Sequence, residues 1–334
     1  MNIDIHSHFI PEKFIQMARK GAPSLQVKIE KDLSGNELMH HDQGYAYPLL
    51  KGFFDPNQRI KDMDKARIDM SVLSSAPPLF YYWAGSEIAL DVAALINDSI
   101  KEIVDTYPDR FIGMGTIPMQ NIDLAVNELR RCVNDLGFKS VQIGSNIEGK
   151  QLDDPQFLPF FKACNDLGVL VTLHPYYVGA KGALGKYYLT NLIGNPLDSV
   201  VAAASLIFGG VLGKCPDLKV CIVHGGGYFP YQFGRLEHGY KVRNEPKING
   251  AKSPGSYLGQ LYFDSILFDP GALDYLVKFA GFNHVVMGTD YPFDMGEASP
   301  VDLIESMECS LEKQKSILGE NTARLLGVGK HENK

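Results

Sequence analysis

Short, mostly apolar stretches alternate along the chain with longer stretches in which apolar residues recur every three or four positions. The first pattern is typical of buried β-strands and the second of amphipathic α-helices. We predict eight strands, which begin near Ile3, Met70, Phe111, Ser140, Leu170, Lys219, Gln260 and His284. Helices are predicted between successive strands, among them 86–107, 124–136 and 269–280.

Strands that alternate with helices favour parallel pairing, and eight of them predict an α/β fold of the (β/α)₈ TIM-barrel type. The length of 334 residues lies within the range of that fold. An open doubly wound sheet is the alternative. No internal repeat or change in composition marks a second domain. We therefore expect one domain over 1–334, with an irregular insertion at 11–54 after the first strand and helices and a tail at 311–334.

The composition indicates which kinds of molecule the protein binds. The net charge of −7 and the pI near 5.7 give no basic surface for nucleic acid or an anionic membrane, so a small-molecule partner is expected. The histidine-containing start does not fit a signal peptide, and the apolar stretch 200–212 is shorter than the ~20 residues of a membrane span. We expect a cytoplasmic protein in which 200–212 is a buried helix. The five cysteines are scattered without a CxxC pair, which indicates reduced thiols.

The first strand carries two histidines, His6 and His8. Alternate residues of a strand share a face, so these two imidazoles lie side by side and Ser7 points away. Such a pair can chelate a metal, but a two-residue pattern is easily met by chance. The alternative is two ordinary polar residues at a strand end.

Further polar residues stand at the ends of other predicted strands, namely His174, His224 and Asp290. In a (β/α)₈ barrel the carboxyl ends of all strands open onto one face, where active sites lie. The five residues therefore predict a shared metal site. Imidazole and carboxylate ligands suit zinc best, and manganese, iron and cobalt less well.

One metal per chain is the better prediction. A second metal would need a bridging ligand such as a carboxylated lysine at the end of the fourth strand. That strand, 140–144, contains no lysine, and Lys139 lies at its other end. The three glycines after His224 lack the Gly-Lys-Ser/Thr ending of a phosphate loop, so they indicate a tight turn close to the site.

Several motifs together resemble the amidohydrolase superfamily, and within it the aminocarboxymuconate semialdehyde decarboxylase branch. They are Asp4-Ile5-His6-Ser7-His8, Gly115-Thr116-Ile117-Pro118-Met119-Gln120, His224-Gly225-Gly226-Gly227 with Phe229-Pro230, and Gly288-Thr289-Asp290-Tyr291-Pro292-Phe293. The resemblance implies zinc ligands at His6, His8, His174 and Asp290. It implies that His224 is the catalytic acid and base, with Asp290 beside it.

The same resemblance bears on substrate binding. Arg235 matches an arginine that enters the neighbouring subunit's site in that branch, which implies a homodimer; a surface helix charge is the alternative. A second arginine of the branch is missing near Asp55-Pro56, where Lys51 is the candidate replacement. Lysine lacks the planar, two-pronged donor geometry of arginine, so a dicarboxylate substrate is in question. Trp83 and Tyr188 are candidate pocket walls, with core packing as the alternative for Trp83.

Three functions remain open at this point. The first is a zinc-dependent decarboxylase without an organic cofactor, acting on a small unsaturated or aromatic carboxylic acid. The second is a metal-dependent hydrolase of a small amide or lactone on the same scaffold. The third is a protein that retains a metal and binds a ligand without turnover.

Overall fold

The computed structural model describes residues 1–44, 46–176 and 184–329. Its strands are β1 (Ile3–Phe9), β2 (Val27–Lys31), β3 (Glu37–His41), β4 (Ala46–Pro48), β5 (Met70–Ser75), β6 (Phe111–Gly113), β7 (Gly115–Thr116), β8 (Ser140–Gly144), β9 (Asn146–Ile147), β10 (Lys150–Gln151), β11 (Leu170–His174), β12 (Lys219–Ile222), β13 (Leu261–Asp264) and β14 (Val285–Val286). Its α-helices are α1 (Glu12–Arg19), α2 (Pro56–Lys65), α3 (Ser86–Thr106), α4 (Ile122–Asn134), α5 (Leu158–Leu167), α6 (Asn195–Phe208), α7 (Val211–Lys214), α8 (Phe229–Val242), α9 (Pro270–Ala280), α10 (Pro300–Glu305), α11 (Leu311–Lys315) and α12 (Asn321–Leu326).

The parallel strands close into a barrel. β1 pairs with β5 and β5 with β6, and a second sheet runs β7, β8, β11, β12, β13, β14. β6 and β7 are two parts of one strand interrupted at Met114. The amide of Ile5 donates to Met287 O at 2.9 Å, and Ser7 bridges to Tyr291, so the segment that follows β14 returns to β1. The predicted (β/α)₈ barrel is confirmed, with its eight strands in chain order.

The local sequence explains these elements. Strands such as β8 and β11 are buried along their whole length, as expected of a parallel sheet covered by helices. The buried residues of α3 recur at helical spacing, from Ala89 through Val92 and Ile96 to Ile100. Asp55 caps α2 by accepting hydrogen bonds from the amides of Asn57 and Gln58, and Pro56 occupies the first helical position.

The insertion after β1 is more regular than predicted. It contains α1, which buries Phe14 and Ile15, and an antiparallel sheet in the order β2, β3, β4. The expectation of an irregular stretch at 11–54 is therefore wrong. Because these strands are only three to five residues long, their alternation is too brief to read from the sequence.

The apolar stretch predicted as a buried helix, 200–212, is divided: its first part ends the helical segment Thr190–Phe208, and after Gly209 and Gly210 the rest begins α7. This segment is long and apolar enough to span a membrane by length and composition, a test that core helices of soluble proteins also pass. Only 39% of its most apolar 18-residue window is buried. The exposed apolar residues include Leu192, Ile193, Leu197 and Val201, so one face of the segment, and not the whole helix, packs on the barrel.

Candidate metal centre

The polar residues predicted to converge do so at the carboxyl ends of the barrel strands. His6 and His8 lie in β1, and His174 is the last residue of β11. His6 Nε2 is 3.1 Å from His8 Nε2 and 3.4 Å from Asp290 Oδ1. His8 Nε2 is 2.8 Å from the same carboxylate oxygen. Residues up to 284 positions apart in sequence thus form one cluster.

His174 and His224 complete this cluster. The His174 ring centroid is 5.2 Å from that of His6 and 5.0 Å from that of His8. His224 Nε2 lies 3.5 Å from Asp290 Oδ2. One potential ligand atom from each of His6, His174, His224 and Asp290 lies within 4.8 Å of the others. By distance alone His224 is as close as the predicted ligands, so the division between ligand and acid/base remains a prediction.

The hydrogen bonds of three imidazoles fix their tautomers. His6 Nδ1 is 2.8 Å from Asp264 Oδ2, His8 Nδ1 is 3.1 Å from Ser75 O, and His174 Nδ1 is 2.9 Å from Pro175 O. Carbonyl and carboxylate oxygens only accept, so each Nδ1 is the donor and each neutral ring presents a lone pair at Nε2.

With these three rings neutral, His6, His8, His174 and Asp290 present only acceptors to one another. The Nε2 atom of His174 is buried and has no hydrogen-bond partner among the described residues. The 3.1 Å contact between His6 and His8 brings two lone pairs together, and the Asp290 carboxylate adds negative charge. A cation between these atoms would satisfy all of them, and Nδ1–H bonds to oxygen are the usual support of metal-binding histidines. The residues fit a divalent metal.

Burial and mutual charge shift the acidities within the cluster. Burial lowers the pKa of His8, and burial together with the neighbouring imidazoles puts the pKa of His174 well below its usual value. Burial also acts to lower the pKa of His6, but the bond to Asp264 and the negative charges of Asp290, Asp264 and Asp4 together outweigh it, and the pKa is raised. Burial opposes the charge on Asp290, yet its contacts with the imidazoles of His224, His8 and His6, each of which can carry positive charge, hold its pKa well below the ordinary range. The carboxylate is therefore charged at neutral pH.

Two of the cluster residues sit on strained backbone. His224 has φ of 55° and Asp290 has φ of 60°, in the left-handed region that non-glycine residues rarely adopt. The turn after His224 needs its glycines, since a Cβ at Gly225 would lie 2.5 Å from Leu267 and one at Gly227 would lie 2.3 Å from Pro196 O. The predicted tight turn is confirmed.

Sequence reasoning missed Asp264, the last residue of β13. Its side chain is completely buried, and it accepts from His6 Nδ1 and from the amide of Gly225 at 2.8 Å. Asp264 therefore couples the orientation of His6 to the turn that carries His224. The available signal was its position, because it ends a predicted strand on the same barrel face as the other cluster residues.

A cavity of about 550 Å³ opens beside the cluster. His174, His224 and Asp290 line it, and much of the remaining wall is apolar. These wall residues come from the insertion and from later loops, and they include Ala46, Tyr47, Leu50, Phe53, Pro77, Pro78, Pro292 and Phe293. The size and the apolar wall suit a small organic ligand.

The predicted substrate contacts fall in different places. Tyr188 lines the cavity, whereas Trp83 is half-buried against Tyr81 and Lys51 is exposed, and neither of these two is among the lining residues. Arg235 is exposed on α8. Sequence reasoning missed Tyr47, whose ring contacts Phe293, which in turn packs on the His8 ring at 5.1 Å.

Comparison with known proteins agrees with this geometry. The amidohydrolase family model matches residues 3–328. A 2-amino-3-carboxymuconate-6-semialdehyde decarboxylase from Dictyostelium discoideum is 39% identical, over 98% of this chain and 92% of its own. The protein of the same name from Caenorhabditis elegans is 29% identical, over 98% and 94%. A crystal structure of a dihydroxybenzoic acid decarboxylase from Polaromonas with bound manganese and 2-nitroresorcinol superposes with a TM-score of 0.81 at 24% identity, covering 99% of this chain and 98% of the other.

The chain belongs to the amidohydrolase family. Its named relatives include decarboxylases, so the predicted class, a decarboxylase-type enzyme of the amidohydrolase superfamily, is confirmed.

Proposed function

We propose that this chain is a decarboxylase of a small unsaturated or aromatic carboxylic acid that uses one zinc ion per chain and no organic cofactor. The observation that carries the proposal is the acceptor-only cluster beside an apolar cavity of about 550 Å³. The identity to decarboxylases of aminocarboxymuconate semialdehyde supports the reaction and makes that acid the first substrate to test.

In this proposal His6, His8, His174 and Asp290 hold the metal. Bound there, the metal would supply a Lewis acid that polarises a substrate oxygen. His224 stays free for acid/base work, because its ring is 17% exposed, borders the cavity and has a buried Nδ1 without a hydrogen-bond partner among the described residues.

His224 has a defined task in such a reaction. When the bond between the ring or alkene carbon and the carboxylate breaks, CO₂ leaves and the electron pair stays on the carbon. The unsaturated system spreads that charge until a proton arrives. His224 can deliver this proton from the cavity side, and Asp290 Oδ2, 3.5 Å from its Nε2, stabilises the protonated ring beforehand.

Zinc is proposed from the donor set of three imidazoles and one carboxylate. Manganese in the Polaromonas structure is the main rival. Elemental analysis of protein purified without added metal tests both the identity and the count. Two metal ions per chain, or none with activity retained, would contradict a mononuclear site.

We also propose a homodimer that shares its sites. Among the described lining residues there is no lysine or arginine, while Asp290 and Asp294 are both acidic. A substrate acid group therefore needs a cation beyond the described wall. The segment Thr190–Phe208 borders the cavity through Asn191 and Asn195, and it also carries the exposed apolar face described above. A second copy on this face would bring its own exposed Arg235 towards the cavity.

The test of the reaction is a substrate panel offered to the metal-loaded protein. It contains unsaturated and aromatic acids with one and two carboxylates, together with amides and lactones. Release of CO₂ from an acid supports the proposal. Hydrolysis of an amide or lactone without CO₂ release would replace it with the hydrolase, and binding without any turnover would favour the third function.

A further inference from the structure

A buried arginine lies directly behind the cluster. Arg59, in α2, is only 1% exposed and is among the largest fully buried side chains of the described residues. Its Nη1 donates to His8 O at 2.7 Å and to Gly52 O at 2.8 Å, and its Nη2 donates to Ser7 Oγ at 2.6 Å. The guanidinium carbon lies 4.9 Å from the centre of the Tyr291 ring. A single cation thus contacts three separate segments.

These segments carry or flank two of the proposed ligands. His8 is itself a proposed ligand, and Tyr291 directly follows Asp290. The amide of His8 donates to Tyr291 O at 2.7 Å, which links the two segments a second time. The turn at Gly52 closes the arrangement tightly, because a Cβ there would lie 2.3 Å from Tyr291 Oη. A shift of any one of these segments would therefore displace the others.

Burial of the Arg59 guanidinium costs desolvation free energy. None of the hydrogen-bond acceptors described for Arg59 is a carboxylate, and its Nε has no partner among the described residues. Burial lowers its pKa to about 10. An apolar side chain of similar volume would avoid this desolvation cost but would leave two backbone carbonyls without donors. Only a planar cation with several donors can hold both carbonyls and the Ser7 hydroxyl at once.

We propose that Arg59 is a positioning residue of the metal centre, which sets the separation of His8 and Asp290 by holding Ser7 and His8 on one side and Tyr291 on the other. This inference rests on the proposed metal site. Arg59 acts on the ligands through the backbone, and it is not among the residues that line the substrate cavity.

The test compares Arg59→Ala and Arg59→Lys with Arg110→Ala. Arg110 is a matched control, because its guanidinium also bonds two backbone carbonyls, Asp69 O and Ile68 O, and in addition Asp64. It directly precedes β6 and so lies at the opposite end of the barrel from the cluster. The readout is zinc affinity of the purified, metal-free proteins by competition with a coloured chelator, with circular dichroism as the check on folding.

We expect Arg59→Ala to lose about 10- to 100-fold in zinc affinity, the usual effect of removing a residue that supports a metal ligand. Arg59→Lys should lose less, since a point charge can replace some but not all of the three bonds. Arg110→Ala should keep wild-type affinity even if its stability falls. Should Arg59→Ala not fold, Arg59→Lys carries the comparison.

Added guanidinium ion sharpens the result. Arg59 lines a cavity of about 280 Å³ with Asp62, Ala66 and Tyr291, so free guanidinium can reach the space left by Arg59→Ala. It should restore part of the zinc affinity of that variant, at constant ionic strength, and leave Arg110→Ala unchanged. Wild-type affinity in both Arg59 variants, or an equal loss in Arg110→Ala, would overturn the proposal.

Failure of this inference and failure of the proposed reaction are distinguishable. Zinc affinity is measured without substrate, so a wild-type protein that binds zinc but releases no CO₂ would refute the reaction and leave the Arg59 test intact. A wild-type protein that releases CO₂ while the Arg59 variants keep full affinity would refute only the role of Arg59.

Discussion

The two sides of the candidate site are built differently. The cluster side consists of strand ends and the turns that follow them, and its side chains are held by hydrogen bonds to Asp264, Ser75 O and Pro175 O. The wall side comes from the inserted sheet, the segment Thr190–Phe208 and the loop after β14. The first side follows from barrel topology, whereas the second depends on how loops pack on one another. Chemistry is therefore set by the scaffold and substrate choice by the additions to it.

The largest expected effect, on the cluster side, distinguishes the proposed metal ligand Asp290 from the proposed acid/base His224. His224→Ala should keep the metal and lose roughly 10²–10⁴-fold in turnover, the usual contribution of a general acid. Asp290→Ala should lose metal affinity itself, because it removes the carboxylate that lies 2.8 Å from His8 Nε2. Turnover and bound metal are measured on the same preparations. Equal metal loss in the two variants would show that His224 is a ligand, as its distance permits.

The next effect tests whether the wall side extends to a second subunit. Arg235→Ala and His224→Ala should each be nearly inactive. When the two are co-expressed in equal amounts, about half of the dimers are mixed, and each mixed dimer has one site with both residues intact. About a quarter of wild-type activity should return. If Arg235 serves its own subunit, preparations shown to contain mixed dimers will be no more active than the single variants.

A smaller effect concerns pH and again the cluster side. Metal binding needs neutral imidazoles, so zinc affinity should fall as the pH falls. Burial acts against protonation of His6, but the bond to Asp264 and the nearby carboxylate charges raise its pKa overall, so on acidification His6 takes up a proton before His8 and His174, whose pKa values are lowered. Asp264→Asn removes the negative charge of the acceptor, which lowers the pKa of His6 and should move the loss of affinity to lower pH, although affinity at neutral pH also declines. Chelator competition across the pH range gives the zinc affinity at neutral pH and the pH at which half of it is lost. If this pH were the same in Asp264→Asn and the wild type, the role of Asp264 would be contradicted.

The smallest effects belong to single wall residues. Tyr188 lines the cavity, so Tyr188→Ala should raise KM by about fivefold with little change in kcat, as loss of one contact worth about 1 kcal/mol does. Lys51 is exposed and outside the lining residues, so Lys51→Ala should change KM less. Steady-state kinetics on the best acid in the panel decide between them. A larger rise in KM for Lys51→Ala would restore Lys51 as the residue that receives the substrate acid.

The sequence by itself determined the barrel, because the spacing of apolar residues distinguishes strands from helices. The eight strands begin within a residue or two of their predicted positions, because residues buried on both faces leave an unbroken apolar run. The same logic predicted that His6, His8, His174, His224 and Asp290 converge, since strand ends of a parallel barrel share one face.

Only the tertiary structure showed which residues support the metal centre and which residues form the wall of the cavity. Asp264 and Arg59 act through partners far away in sequence, at separations of 258 residues for Asp264 with His6 and 51 for Arg59 with His8. The inserted sheet, the exposed face of Thr190–Phe208 and the exclusion of Lys51 and Trp83 from the lining depend on loop packing. The position of a residue in the repeating pattern of a strand or helix specifies which way its side chain points. It does not specify which distant group lies opposite that side chain.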